Sequence, residues 1–538
     1  MFFAGAIKYA ERTRALYLAC LGNFKESMLP DPDAGPNYAQ LMEEYTAKEA
    51  AQVPVHIVIE PEPEKKLPDL TDLETLEKLQ SLKDVEVVEH GYKFFKIFKG
   101  LIVELMFSFH ERNESRNFFF QRSSTDAFKV MEVELNFMYD VLYTKMAVVH
   151  RKIGYFFRFI CSALIAVSFQ HFASHHKHNI HHFDFAVTYT LLGGAVALDF
   201  VALFKLIFSD WTIVRLKNSK AKSIVSAVRD RISIGKKCRW SKSIPQHSLI
   251  SYCLKKRFTW FDEAADSFGL KDFLDEMQYK ETKPVEDDLK KFIFSELRKK
   301  AAIARDSKIA KEIYSMRGDG VLSQSICHYT SIVSSVSEEV EYDESLLLWH
   351  IATELCYFLE TNTNDQNREN EVDPKSFRDT CAEAEKFFRK GKPISMTDIL
   401  LSVLNAPMKK MRKCFGKSQS KSEEERQNAC KELIAVNTVV KPIEVKGDRS
   451  KSVLFDACML AKDLNKLNDK KRWDIISKVW VELLSYAASH CRANTHAQQL
   501  SKGGELVTFV WLLMAHFGLG EQFRIEAGHA RAKLIVEK

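Results

Sequence analysis

IGYFFRFICSALIAVSFQHFA at residues 153–173 and FAVTYTLLGGAVALDFVALFKLIF at residues 185–208 decide how this chain is read. The first run holds 21 residues and one charge, Arg158; the second holds 24, with Asp199 and Lys205. At 1.5 Å per residue, either is long enough to cross a hydrocarbon layer about 30 Å thick. Eleven residues separate them, enough for a helical hairpin. Arg158 and Lys205 sit near the same end of the hairpin, where long side chains can snorkel. A buried hairpin in a soluble protein is the rival reading. It requires no charge pattern at the flanks, yet one is present. Arg151 and Lys152 precede the first run, residues 211–260 carry thirteen Lys or Arg against one acid, Asp230, and the connecting loop holds only Lys177. The positive-inside rule then places both outer ends in the cytosol, together with everything from Trp211 to Lys538.

The rest of the 538-residue chain points to helices. Gly (20) and Pro (13) are scarce, which favours long helices over turn-rich β architecture. Hydrophobic residues at 46% and charged residues at 28% exclude a wholly disordered or collagen-like protein. Eleven Cys are scattered without a CxxC, so reduced thiols are expected rather than a disulfide scaffold or a ribbon-type zinc site. The fold class expected is all-α, a transmembrane helical hairpin with a large C-terminal cytosolic helical domain.

Working outward, residues 1–50 read as an N-terminal helix that turns from apolar to amphipathic and stops near Pro30, followed by a GPNYAQLMEEY block. The opening MFFAGAIKYA is too short for a signal peptide and looks like the tail of an apolar helix. Residues 51–90, with ten acids, four bases and Pro54, Pro61, Pro63 and Pro68, read as an acidic linker ending in a short helix. Residues 91–150 form a membrane-proximal helical region. There Phe94, Phe98, Leu101, Ile102 and Leu105 mark one face of a helix over 92–109, either interfacial or packed in a core. After the hairpin at 151–210 come a helical domain at 211–415, a linker at 416–429 and a C-terminal helical module at 430–538.

Chemistry-bearing residues fall into four groups. His171, His175, His176, His178, His181 and His182 cluster at the hairpin loop, where imidazoles at i and i+4 can share zinc or copper; a solvated loop is the bland alternative. Asp199 lies well inside the second run, and an acid there is costly unless paired. Arg158 is its conceivable partner, and Gly193 and Ala197 form a small-xxx-small pair suited to close helix packing. His350 and Glu354 share a helix face, and His490, His496, Glu505 and His516 lie in the C-terminal module; satisfied buried histidines are expected there rather than an acid–base or metal site. Gly503-Gly504-Glu505 marks a turn, with a helix-cap role expected for the preceding Ser501. The basic stretch at 211–260 suits anionic lipid headgroups. Phosphate-loop, GxGxxG and GxSxG patterns fail on inspection, and nucleic-acid binding is not expected.

Several ordered blocks carry a resemblance: IKYAERTRAL at 7–16, GPNYAQLMEEY at 35–45, FKGLIVELMFSF at 98–109, VELNFMYDVLYTK at 133–145 and GAVALDFVALFKLIFSDWT at 194–212. In the rear half the blocks are SLLLWHIATELCYFLE at 345–360 and residues 480–518. These resemble a plant family of uncharacterised membrane proteins, domain of unknown function 4220, with a C-terminal module, domain of unknown function 594. The resemblance implies a multi-span membrane protein, with further membrane helices upstream of the IKYAERTRAL block, and supplies no catalytic mechanism. The function expected is therefore a non-enzymatic adaptor or regulatory protein without a cofactor, its cytosolic helices binding a protein partner and its basic stretch touching lipid. The alternative is a transporter or channel subunit using Asp199 in an oligomer. A third option is an enzyme using the C-terminal His and Glu residues.

Overall fold

Between residues 84 and 143 the chain has no proline and only two glycines, and it folds there into packed helices. The computed structural model describes residues 2–28, 43, 45–51, 55–60, 81–105, 107, 109–174, 182–216, 219–231, 239–240, 242–246, 248–254, 281–304, 307–325, 330–337, 339–360, 426–439, 452–520 and 531–536. By contacts it divides into two units, each assembled from separated segments. The first comprises residues 1–242, 286–313 and 488–538, the second residues 243–285 and 314–487.

In the first unit, α1 (Phe2–Ala19) opens the chain. α2 (Asp84–Phe98) begins where the Glu86 carboxylate accepts the Lys83 amide at 3.0 Å. α3 (Phe109–Phe120) follows, and then α4 (Ser124–Tyr143), capped by the Ser123 hydroxyl, which accepts the Asp126 amide. The helix expected over 92–109 is shorter than its apolar pattern suggested. It ends at Phe98, a 3-10 turn runs over Lys99–Val103, and Glu104 adopts a left-handed φ of 56°. Gly100 and the β-branched pair Ile102-Val103 weaken helix propagation there. Phe94, Phe98, Leu101 and Ile102 are all buried, so this face packs into a protein core rather than lying at an interface. Gly91 is obligatory for the α2–α4 crossing, because a Cβ would stand 2.6 Å from Val133 Cγ1.

Next come α5 (Lys152–Ser174), α6 (His182–Ile207) and the short α7 (Asp210–Arg215). α5 and α6 are the two helices long and apolar enough to cross a membrane among the described residues. They are mostly uncovered: 22% and 17% of their apolar windows are buried. Phe156, Phe159, Leu191, Leu198 and Phe200 point outward. The helices of a buried soluble hairpin would be enclosed, and these are not.

α8 (Asp287–Ile303) returns to the first unit. The second unit is built on α9 (Tyr342–Glu360), with α10 (Val453–Asn465) and most of α11 (Asp469–His490). Leu347, Trp349, Ile351, Ala352 and Leu355 of α9 are sealed from solvent in one core with Ala457, Ala461, Leu464, Val479 and Leu483. Residues 426–435 are helical, where a linker over 416–429 was expected. The cause is an apolar stripe, Ala429, Cys430 and Leu433, which joins the same core. Residues 416–425 lie outside the described set.

α12 (Ala493–Ser501) and α13 (Leu506–His516) belong to the first unit. α13 is apolar around its whole circumference and is buried from Leu506 onward apart from Val507, with Phe509 stacked on Phe128 of α4. The turn before it uses Gly503 and Gly504 at φ 105° and 78°. Ser501, expected in a helix-cap role at this turn, is the last residue of α12, and its hydroxyl donates back to the Gln498 carbonyl at 2.7 Å. Strands are few. β1 (Val55–Glu60) pairs antiparallel with β4 (Arg531–Val536), and β2 (Ser243–Gln246) with β3 (Glu281–Pro284). The fold is thus mostly helical rather than purely so. The β-branched run of VHIVIE explains a strand inside the expected acidic linker.

Candidate functional site

Three polar clusters among the described residues hold Asp199 and Arg158, His516, and His350 and Glu354 of the residues singled out above. The first lies within the hairpin. Asp199 of α6 faces α5, where Arg158 Nη1 stands 3.8 Å from its Oδ1. Ser162, one turn beyond Arg158 on the same face, donates its hydroxyl to Asp199 Oδ2. The pairing expected of Arg158 and Asp199 is therefore in register. A third helix completes it: Lys8 of α1 reaches Asp199 Oδ1 at 3.3 Å. One turn further along α1, Glu11 is buried and pairs with Lys145 at 3.5 Å. Ala4, Cys161 and Ile165 form the apolar contact beneath, with Ile7, Leu164 and Ala195 packed on it. Gly193 plays no part in close packing, since a Cβ there would meet nothing within 4 Å. Lys8, Ser162 and Glu11 were missed. The signal available was a Lys-x-x-Glu pair on a helix whose preceding residues are all apolar.

The second cluster is a Ser–His–Glu chain. Ser115 Oγ of α3 lies 2.7 Å from His516 Nδ1, and His516 Nε2 lies 2.8 Å from Glu134 Oε2 of α4. All three side chains are fully enclosed. The His516 ring stacks on Phe119 at 4.0 Å and meets Phe98 edge-on at 4.5 Å. Burial pushes the Glu134 carboxyl up, opposed by His516. The residue types are those of an acid–base–nucleophile triad, but the hydroxyl is closed off from any substrate, so the arrangement ties α13 to α3 and α4.

The third cluster belongs to the second unit. His350 and Glu354 lie 3.8 Å apart on one face of α9, as their spacing suggested. Glu354 Oε1 is taken by Arg426 at 3.0 Å and by the Ser248 hydroxyl, and the Leu249 amide donates to His350 Nε2 at 3.5 Å. Burial lowers the His350 imidazole below its usual range.

The remaining C-terminal residues do not converge. His490 is exposed, and Glu505 is half-buried. His496 is buried, stacked on Trp511 at 4.6 Å, with Nε2 3.1 Å from the Ala488 carbonyl. Burial pushes its imidazole down to about 4, from 6.5 in the free side chain. The neutral ring therefore supports the fold fully above pH 6.5, and that support is lost as the pH falls toward about 4, a difference of roughly 3 kcal/mol. Urea unfolding should show stability dropping through this window, and His496→Gln should flatten the slope; an unchanged slope contradicts the assignment.

His171 is exposed on the last turn of α5. His175, His176, His178, His181 and the side chain of His182 lie outside the described residues, as does the metal site proposed for them. Among the described residues, cations of the basic stretch pair internally, including Arg239 with Asp210 at 3.1 Å, Lys242 with Glu132 at 3.9 Å, and Lys222 with Glu89. Lys217, Lys236, Lys237, Lys255, Lys256 and Arg257 lie outside the described set.

Two family models match this chain. Residues 1–253 match "Domain of unknown function (DUF4220)", and residues 465–519 match "Protein of unknown function, DUF594". Both modules of the resemblance are thereby present. No curated protein and no solved structure matches.

Proposed function

Since the chain carries a DUF4220 domain and a DUF594 module, we propose that it is an integral membrane protein acting as a non-enzymatic adaptor or regulator. In this reading the α5–α6 hairpin spans the bilayer and the remaining helices present a cytosolic surface to a protein partner. The observation that carries it is the contrast in burial. The hairpin turns its Phe, Leu and Val side chains outward, while Ser115, Glu134 and His516, and likewise His350 and Glu354, are enclosed and engaged with one another. Exposed apolar helices of this length are stable in hydrocarbon and not in water. His516, Glu134, His350 and Glu354 are spent on holding helices together.

The transporter reading turns on Asp199. Both of its oxygens are occupied, by Lys8 and Arg158 on one side and by Ser162 on the other, which favours helix packing over ion passage. Vesicles reconstituted with the full chain and washed in alkaline carbonate should retain it. Proton and cation fluxes should equal those of empty vesicles, for the wild type and for Asp199→Asn alike. Release by carbonate would sink the membrane assignment, and a flux lost in Asp199→Asn would replace the adaptor with a carrier.

A further inference from the structure

Ser337 stands in the turn between the short helix Thr330–Ser334 and α9. The residues after it are Glu338-Glu339-Val340-Glu341, three acids in four positions. Its hydroxyl lies at the surface and donates to the Ser334 carbonyl at 3.0 Å. Its carbonyl accepts from the Val340 amide at 3.1 Å, which closes the turn. Glu339 and Glu341 are exposed there. A surface serine followed by acids is a charge pattern that a kinase with a basic substrate cleft selects, because the carboxylates pair with cations of the enzyme.

A second observation comes from the neighbouring loop. Arg317 Nη2 donates to the Ser337 carbonyl at 2.6 Å. The Arg317 amide is held by Asp319 Oδ1 at 2.8 Å. Gly318, at φ 120°, fits against Val336, where a Cβ would stand 2.7 Å from Cγ1. The two loops are thus in contact, and the guanidinium is set beside residue 337. Among the described residues Arg317 makes no ion pair. A guanidinium held by one carbonyl retains donors in the fork geometry that suits phosphate oxygens.

We propose that Ser337 is a phosphorylation site for an acid-directed serine kinase, and that Arg317 holds the phosphate. In the transfer, Ser337 Oγ attacks the γ-phosphorus of MgATP. The Oγ–P bond forms, the bond to the bridging oxygen breaks with its electron pair leaving on ADP, and the hydroxyl proton passes to the base of the kinase. The phosphate adds about −1.5 to −2 charge at pH 7 and three acceptor oxygens. Glu339 and Glu341 repel it and Arg317 attracts it, so it turns toward residues 317–319 and draws the guanidinium off the Ser337 carbonyl. The turn before α9 then carries a dense negative patch on the surface offered to a partner. This rests on the cytosolic placement proposed above, which gives the site access to ATP. Ser422, followed by Glu423-Glu424-Glu425, has the same sequence character; it lies outside the described residues and serves as an internal control.

The test incubates the full chain in detergent with MgATP and an acidophilic casein kinase, and maps the sites by mass spectrometry. Phosphate is expected on Ser337. Glu339→Lys combined with Glu341→Lys should slow that labelling by about tenfold or more and leave Ser422 unaffected. Phosphatase should release the Ser337 phosphate about tenfold faster in Arg317→Gln than in the wild type, the size of one charge-assisted hydrogen bond, with release from Ser422 equal in both. Absence of phosphate on Ser337 in detergent overturns the inference, whether or not Ser422 is labelled, and leaves the membrane reading standing. Unchanged labelling in the double Lys variant overturns the acid-directed recognition, and equal release rates overturn the role of Arg317. Sealed membranes with their cytosolic face outward should take up label on Ser337 from added kinase without detergent. Label there only after detergent overturns the cytosolic placement, and the inference with it.

Discussion

His516→Ala is expected to destabilise the first unit by about 3–5 kcal/mol, the cost of removing one partner from a buried ionisable pair. The substitution strands the Glu134 carboxyl 382 residues away in sequence, leaves the Ser115 hydroxyl unmatched, and opens a hole among Phe94, Phe98 and Phe119. Two effects add here, lost ring packing and an unsatisfied buried carboxyl, which makes the site more sensitive than a purely apolar one. Glu134→Gln separates them. The amide keeps a hydrogen bond to the ring and the same volume, so its cost should be about 1 kcal/mol. Denaturant titration of the detergent-solubilised chain gives both values, and resistance to limited proteolysis serves where His516→Ala does not accumulate. A cost below 1 kcal/mol for His516→Ala would mean that the cluster does not hold α13 in place.

Trp349→Ala should cost a similar amount, about 3–5 kcal/mol, in the second unit. Trp349 is the largest fully enclosed side chain of that core, and its indole N–H donates to the Ser335 hydroxyl at 3.1 Å. Trp349→Phe keeps most of the volume but leaves the Ser335 hydroxyl without its indole donor, so a loss nearer 1 kcal/mol is expected. The same denaturant titration distinguishes the two. Equal losses would show that the hydrogen bond, rather than the ring, carries the site.

The residues differ in how readily they disclose their roles. α5 and α6 are visible in composition alone, because length and hydropathy are local properties. α9 is visible as well, since SLLLWHIATELCYFL is mainly apolar over 15 residues. The pairing of Arg158 with Asp199 could be anticipated because both lie on helices joined by a short loop. Lys8 could not, since it is 191 residues from its partner and nothing local marks the register. The same holds for Ser115, Glu134 and His516. A histidine in a C-terminal helix reads alike whether its partner lies on the next turn or on a helix near the front of the chain. The end of α2 was hidden for another reason: its apolar face continues through Leu101 and Ile102, while the backbone tightens into a 3-10 turn at Gly100. Periodicity reports which side chains are buried, not which hydrogen-bond ladder carries them.

The placement of α12 and α13 among the front helices bears on how the protein is made. At about 5–20 residues per second, a ribosome that has finished Glu134 needs roughly 20–80 s to deliver His516. Over that interval the ring-lined slot between α3 and α4 stays open, with its carboxyl unanswered, while the greasy hairpin has already emerged. A product cut short before Ala493 lacks His516 and leaves that slot unfilled, with Ser115 and Glu134 unmatched.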